Sequence, residues 1–157
     1  MKFIADCMLG RLARWLRVLG FDTAYYRRLE DSELLAIARQ EGRVILTRDS
    51  GLIAKGRRRD DRLFIESDAW EKQVVQVLDA FDLRPRAAPH TRCPECNGAL
   101  KTLTKARARN LVAPYVLEHG RSFALCPDCG RVYWQGSHFG RMEKTLDALL
   151  ARPGRGA

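Results

Sequence analysis

Apolar residues in the first 85 positions form either short continuous runs or longer stretches with helical spacing. The short runs predict four β-strands, at residues 3–5, 23–26, 44–47 and 63–65. The longer stretches predict three helices, at residues 9–19, 31–42 and 74–81, with Gly20 and Gly42 as stops for the first two. Strands separated by helices are typical of βαβ units, and strands that are apolar throughout fit a sheet covered on both faces. The pattern predicts an α/β fold with a parallel sheet flanked by helices.

The pattern changes after residue 85, where arginine, proline and alanine replace the periodic apolar positions. We interpret residues 1–85 as one α/β domain, 86–91 as a linker, 92–140 as a cysteine-containing module and 141–157 as a short amphipathic helix with a tail. A chain of 157 residues has room for one ordinary domain and one small module.

Four of the five cysteines form two Cys-x-x-Cys pairs, Cys93 with Cys96 and Cys126 with Cys129. Two such pairs supply the four thiolates of a tetrahedral structural zinc site, which leaves no position open for catalysis. A redox dithiol or an iron–sulfur centre are the alternatives, although redox pairs usually occur once, at a helix start. The pairs predict a Zn²⁺-binding ribbon. We expect the fifth cysteine, Cys7, to be a small buried apolar residue.

The chain carries 28 basic and 19 acidic residues, a net charge of +9. Residues 90–157 hold 11 basic and 5 acidic residues (+6), against 17 and 14 (+3) in residues 1–89. This excess favours a polyanionic partner such as nucleic acid, drawn first to the C-terminal module, although an inert basic surface is the alternative. No apolar run has the length of a membrane span or a signal peptide, so we expect a cytoplasmic protein with no membrane partner.

Acidic residues follow the predicted strands. Asp6 comes directly after the first strand, Asp49 two residues after the third and Asp68 three after the fourth, while Asp31 opens the second helix. The carboxyl ends of parallel strands share one edge of a sheet, so these acids are expected to converge. Clustered carboxylates favour a hard divalent cation such as Mg²⁺ or Mn²⁺. Helix capping is the alternative for Asp31 and for Asp68, whereas Asp6 and Asp49 fit caps less well.

The segments around these acids resemble the Mut-seven C-terminal RNase domain family. The resemblance spans about residues 1–145 and rests on segments 6–17, 19–22, 31–35, 43–49 and 134–138 together with the two cysteine pairs. It implies a PIN-like nuclease domain fused to a zinc ribbon, and metal-dependent cleavage of RNA. Carried over by position, the resemblance implies catalytic acids at Asp6, Asp31 and Asp49, with Asp68 as a possible additional acid.

Arginines near the predicted acidic edge are candidates for binding phosphate. Arg11 and Arg14 lie on the first helix, opposite its leucines, and Arg48 lies beside Asp49. A solvated helix face, shared with Arg17, is the alternative for the helical arginines.

Other basic and aromatic residues each allow a structural and an RNA-binding interpretation. The run of Lys55 and Arg57 to Arg59 is either a solvated loop or an RNA contact. Tyr133 and Trp134 either stack on unpaired bases or pack the small module, and core packing is the expectation for Trp15 and Trp70.

Together these features predict a metal-dependent endoribonuclease that uses Mg²⁺ or Mn²⁺ at an aspartate cluster and needs no small-molecule cofactor. A structural zinc ribbon would aid RNA binding. A non-catalytic RNA-binding adaptor with a decayed site, or a protein-interaction module, are the alternatives.

Overall fold

The computed structural model describes residues 1–55 and 61–151. The predicted basic run at Arg57 to Arg59 and the tail after residue 151 lie outside the described residues. The N-terminal part contains four strands: β1 (Lys2–Ala5), β2 (Asp22–Tyr25), β3 (Val44–Thr47) and β4 (Arg62–Phe64). Its helices are α1 (Gly10–Val18), α2 (Asp31–Glu41), α3 (Ser50–Ala54) and α4 (Trp70–Ala80), with short 3-10 helices at Cys7–Leu9 and Arg84–Arg86.

The four strands form one sheet in the order β2-β1-β3-β4, and every pair in it is parallel. This confirms the predicted parallel α/β fold. The chain leaves β1 towards β2 on one side and leaves β3 towards β4 on the other, so the connections diverge between the two central strands. Such a point is where open α/β sheets bind ligands, at the carboxyl edge.

Helices cover both faces of the sheet. On one face Phe3 and Leu46 pack in a cluster with the leucines of α1 and with Val74 of α4. On the other face Ile4 and Ile45 pack against α2. Alternate residues of each central strand thus point to opposite buried layers, which explains why the strands are apolar throughout.

The C-terminal part forms a second, antiparallel sheet in the order β5-β6-β7. Its elements are β5 (Lys101–Leu103), α5 (Lys105–Ala108), α6 (Pro114–His119), β6 (Phe123–Leu125) and β7 (Val132–Trp134). The last helix, α7 (Phe139–Ala151), returns to the first domain, where Leu146 and Leu149 join the cluster of α1 and α4. The predicted C-terminal helix is confirmed and begins earlier than the pattern indicated.

The connecting segment is packed against the end of α1. The N–H groups of Ala88 and His90 donate to the carbonyls of Leu19 and Val18 at 2.9 and 3.0 Å. Gly20, with φ +92°, must lack a side chain, since a Cβ there would lie 2.2 Å from the carbonyl oxygen of Ala88. The cysteine module therefore docks where α1 ends and β2 begins, at the amino edge of the sheet.

Arg17 secures this docking, and it is not part of a solvated face. Only 5% of Arg17 is exposed, and its guanidinium donates to the carbonyls of Thr23 (2.8 Å), Pro94 (3.1 Å) and Glu95 (2.9 Å). The last two carbonyls belong to the first Cys-x-x-Cys turn. Burial lowers the pKa of the Arg17 guanidinium, and the neighbouring Cys96 and Cys93 thiols partly offset this effect when ionised.

We expect Arg17→Met to lower the free energy of unfolding by about 2–4 kcal/mol, because it leaves three carbonyls without their donor. Arg14→Ala is the control. The Arg14–Glu95 ion pair (2.5 Å) is solvent-exposed, so its loss should cost less than about 1 kcal/mol. Urea unfolding of the zinc-loaded proteins measures both values. Equal losses in the two variants would contradict a special role for Arg17.

Candidate functional site

The four cysteines of the two Cys-x-x-Cys pairs meet at one point. Their sulfur atoms all lie within 4.8 Å of one another, with Cys93 Sγ 3.7 Å from Cys129 Sγ and Cys96 Sγ 3.4 Å from Cys126 Sγ. Sulfurs on a tetrahedral shell with Zn–S bonds of about 2.3 Å are about 3.8 Å apart. The donor set and its spacing therefore fit a zinc ion, and all four cysteines can hold one.

The two turns that carry the cysteines share a geometry. In each, the first cysteine's carbonyl accepts an N–H from the residue after the second cysteine, Asn97 at 3.0 Å and Gly130 at 2.8 Å. These two residues adopt left-handed φ angles of 72° and 75°. At Gly98, a Cβ would lie 3.0 Å from Cys126 Sγ, so this glycine allows the turns to approach closely.

Basic and hydroxyl groups surround the thiols. Hydrogen bonds from the Arg131 backbone, and then from its guanidinium, lower the pKa of Cys129 to about 6, whereas burial raises the pKa of Cys96 and Cys126. The Tyr133 hydroxyl lies 3.0 Å from Cys93 Sγ. This contact gives Tyr133 a role in supporting the metal site and favours packing over base stacking for this residue.

Asp6 lies at the carboxyl edge of the sheet, directly after β1, and is 6% exposed. Its Oδ1 accepts the Met8 N–H at 2.9 Å, which caps the 3-10 helix. Its Oδ2 accepts the Thr47 hydroxyl at 2.5 Å and the Arg48 N–H at 3.0 Å. These donors are uncharged, and no ion pair to Asp6 occurs within residues 1–55 and 61–151. Asp6 is thus oriented by three hydrogen bonds and pairs with no basic side chain among the described residues.

Asp49 is joined to Asp6 through one residue. The Asp49 N–H donates to Thr47 Oγ1 at 2.9 Å, and the same hydroxyl donates to Asp6. Asp49 Oδ1 accepts the Gly51 N–H at 2.7 Å as the N-cap of α3. Asp6 and Asp49 are therefore both helix caps, which corrects the expectation that they fit caps poorly. Both residues lie at the edge where the sheet connections diverge.

The other two acids are held by cations. Asp31 is the first residue of α2, and its Oδ2 lies 3.4 Å from Lys55 Nζ in an exposed pair. The cap of α2 is Glu30, whose capping box with Glu33 satisfies the first turn, so Asp31 is not the N-cap. Exposed pairs contribute little, so Asp31 can exchange its partner.

Asp68 does not form the predicted capping box, because Ala69 occupies the cap position of α4 and has no side-chain cap. Asp68 instead pairs with Arg48 at 2.7 Å, and its side chain is 95% exposed. Within the described residues, no three acids bring their oxygens within 4.8 Å of one another. The structure therefore links the Asp6 carboxylate to the Asp49 backbone through Thr47, and Asp31 and Asp68, at the same edge, each pair with a basic residue.

The three candidate arginines differ in position. Arg11, on the first turn of α1, is exposed and lies 4.8 Å from the centre of the Trp70 ring, which itself stacks on Trp15 at 4.7 Å. Arg14 points to Glu95 of the first cysteine turn, away from the acidic edge. Arg48 donates to the carbonyls of Ile65 and Glu66, in addition to its pair with Asp68. Arg11 is thus the one of these three that is exposed at the acidic edge.

Two contributions were missed by the sequence reasoning. The first is Thr47, whose hydroxyl donates to the Asp6 carboxylate and accepts the Asp49 N–H. Its position at a strand end, two residues before an acid, could have indicated this role. Arg17 lies four positions after the buried Ala13, at the border of the apolar face, but its recurrence with Arg11 and Arg14 favoured a solvated face. Cys7 is exposed, so the prediction that it is buried is wrong. Cys7 lies at the start of the 3-10 helix, beyond the buried strand.

The fold and its two sites define a class of protein: a parallel α/β domain with an acidic edge, fused to a four-cysteine metal-binding module. The model of the Mut7-C RNAse domain family matches residues 1–146 of the chain, which therefore belongs to that family. Comparison with curated proteins and with solved structures gave no match. Membership in an RNase domain family indicates a nuclease-like, RNA-related function with RNA as the substrate. Among the described residues, no helix combines the length and apolar character needed to cross a membrane.

Proposed function

We propose that this protein is a metal-dependent endoribonuclease whose site is built on Asp6 and Asp49, with Asp31 as the third acid. The observation that carries the proposal is the Asp6–Thr47–Asp49 link at the point where the sheet connections diverge. Asp6 and Asp49 both follow central strands at this edge, and neither forms an ion pair with a basic side chain in the described residues. Membership in the RNase domain family supports the same reading.

The donor set of this edge fits a hard cation, since carboxylate oxygens are the ligands that Mg²⁺ and Mn²⁺ prefer. Asp6 and Asp49 would hold such an ion, which would supply an activated water and neutralise charge on the phosphate. Two carboxylates suffice for Mg²⁺ because it keeps several waters. Asp31, whose exposed pair with Lys55 is weak, would be the third acid of the site.

The remaining residues at this edge position the substrate and the acids. Thr47 and the Arg48 N–H fix the orientation of Asp6. Arg48 anchors the segment after β4 through the carbonyls of Ile65 and Glu66, so we assign it a positioning role. Arg11, exposed over the face of Trp70, would donate N–H groups to a phosphate. The ribbon, with a structural zinc at its four cysteines, would contribute RNA binding.

The test is cleavage of single-stranded RNA by protein passed through chelator-treated buffer, with and without added Mn²⁺ or Mg²⁺. Activity should depend on the added Mn²⁺ or Mg²⁺. These ions would act at the acidic edge, because hard cations do not replace zinc in a four-thiolate site. The Asp6→Asn, Asp49→Asn double variant should remain inactive with either ion. Cleavage that persists in the double variant contradicts the site. RNA binding without cleavage in the native protein would favour the adaptor alternative, which is also consistent with the lack of a compact acidic triad among residues 1–55 and 61–151.

A further inference from the structure

A groove of about 1010 Å³ lies between the ribbon and the start of α7, remote from the acidic edge. Its walls carry Tyr115 and His119 of α6, Trp134 at the end of β7, and Arg121. Tyr115 is 70% exposed and Trp134 is 43% exposed, and the Tyr115 ring stacks on His119 with centroids 4.3 Å apart. Large aromatic faces open to solvent are uncommon in a small module that needs its apolar residues for packing.

The charge of the groove selects a polyanion. None of its lining residues is acidic, Arg121 is exposed in its wall, and Arg141 lies beside it, 2.7 Å from His138. Residues 90–157 carry a net charge of +6, from 11 basic and 5 acidic residues. Aromatic faces interleaved with cations are the combination that binds single-stranded nucleic acid, since bases stack while arginines neutralise phosphates. A duplex hides its base faces and cannot use the aromatic rings.

The groove is separated from the acids by the length of α1. An adjoining cavity shares Trp134 and Phe139 with it and also touches Val18, the last residue of α1, whereas Asp6 precedes that helix. Nine residues of helix span about 13 Å. RNA that occupies the groove must therefore extend over several nucleotides to reach the acidic edge.

We propose that this groove is a single-strand-specific RNA-binding exosite, in which Tyr115 and Trp134 stack on bases and Arg121 contacts the backbone. The inference rests on the proposed function and deepens it, because it names single-stranded RNA longer than a few nucleotides as the substrate class. It also assigns the exosite to binding and leaves the chemical step to the acidic edge.

The binding test uses the zinc-loaded Asp6→Asn, Asp49→Asn protein, so that cleavage does not interfere. The probes are labelled oligouridines of about 4 and about 16 nucleotides, which bracket common single-strand site sizes, and a duplex RNA of the longer length. Tyr115→Ala and Trp134→Ala should each raise the Kd for the long single strand about tenfold. Tyr115→Phe and Trp134→Phe should restore most of the affinity. Arg121→Ala should reduce the dependence of log Kd on log salt by about one phosphate contact.

The control variant is Leu111→Ala, because Leu111 is an exposed apolar residue of the same module that does not line the groove. It should leave the Kd unchanged. Zinc content and thermal unfolding check that Trp134→Ala is folded, and Tyr115 is too exposed for its removal to unfold the module. Unchanged Kd values in both alanine variants overturn the proposal, and so does an equal loss for duplex and single strand.

Kinetics separate this inference from the proposed function. In the active protein, groove variants should raise KM for the long RNA with kcat unchanged, and should leave cleavage of the short RNA unaffected. Native protein that binds single strands through the groove but never cleaves them would retain the exosite and reject the nuclease. Cleavage that is normal on long RNA in every groove variant would retain the nuclease and reject the exosite.

Discussion

Asp49→Asn is expected to lower kcat for RNA cleavage by about 10³-fold, equivalent to about 4 kcal/mol of transition-state stabilisation. The substitution keeps the shape of the side chain and the cap of α3, because asparagine caps helices as well as aspartate. Its Oδ1 can still accept the Gly51 N–H, and the Asp49 backbone bond to Thr47 is untouched. The change therefore removes a charge and a metal ligand with little other effect. Steady-state cleavage at saturating Mn²⁺ measures kcat.

The control for this prediction is Asp147→Asn, since Asp147 is an exposed acid on α7, outside the acidic edge. It should retain native kcat. The free energy of unfolding should change by less than about 0.5 kcal/mol in either variant, and calorimetric titration with Mn²⁺ should show weaker binding only in Asp49→Asn. A kcat within tenfold of native would remove Asp49 from the proposed set.

Much of the fold could be predicted because its signals are local. Strand β3 is a run of β-branched and apolar residues, and α1 carries leucines at helical spacing before Gly20. The convergence of the four cysteines could be predicted from their spacing, because two Cys-x-x-Cys turns commonly bind one shared metal. The candidate acids were also chosen by a local rule, because each follows a strand of the parallel sheet or opens the helix after one.

What the sequence did not reveal depends on contacts between distant segments. The environment of Arg17 comes from β2 and from the first cysteine turn, up to 78 positions away, so the repeat of Arg11 and Arg14 suggested a solvated face. The same holds for Asp22, which accepts hydrogen bonds from Arg43 and Asn97. Burial disfavours the charged form of Asp22, but these bonds outweigh it and lower its pKa. The strands of the ribbon were also not predicted, since three residues each are too short for a periodic signal.

The docking of the ribbon changes what its zinc is expected to do. The first cysteine turn holds Arg17 through two carbonyls, and Asn97 on the same turn accepts the Thr23 N–H at 2.9 Å and donates to Asp22 at 2.8 Å. After the ribbon, α7 packs its leucines into the core of the first domain. The turn is thus part of the support of β2, which flanks β1 and the acidic edge. A metal that orders the turn stabilises the whole chain.

We therefore expect Cys126→Ser to lose its zinc and to lower the Tm of the entire protein by at least about 10 °C. Cys126 is fully buried, and a serine hydroxyl is a poor replacement for a thiolate ligand. Metal binding contributes on the order of 10 kcal/mol in small zinc modules, comparable with the total stability of a domain. Each 1 kcal/mol shifts the Tm of a chain of this size by about 2–4 °C. Metal analysis should find one zinc per native chain, and calorimetry should show one cooperative transition.

Cys7→Ser is the matched control, because Cys7 is the one cysteine outside the four-sulfur cluster and its side chain is exposed. It should keep one zinc per chain and the native Tm, even though it neighbours Asp6. Two separate transitions in native protein, with only the smaller one lost in Cys126→Ser, would show that the ribbon does not support the first domain. Iron together with acid-labile sulfide in place of zinc would instead assign the four thiolates to an iron–sulfur centre. Loss of zinc in Cys126→Ser should also weaken the hydrogen bonds of Arg17 and Asn97 to β2. We therefore expect RNA cleavage to be lost over the same temperature range as the folded structure, because the candidate acids lie at the ends of strands that the ribbon supports.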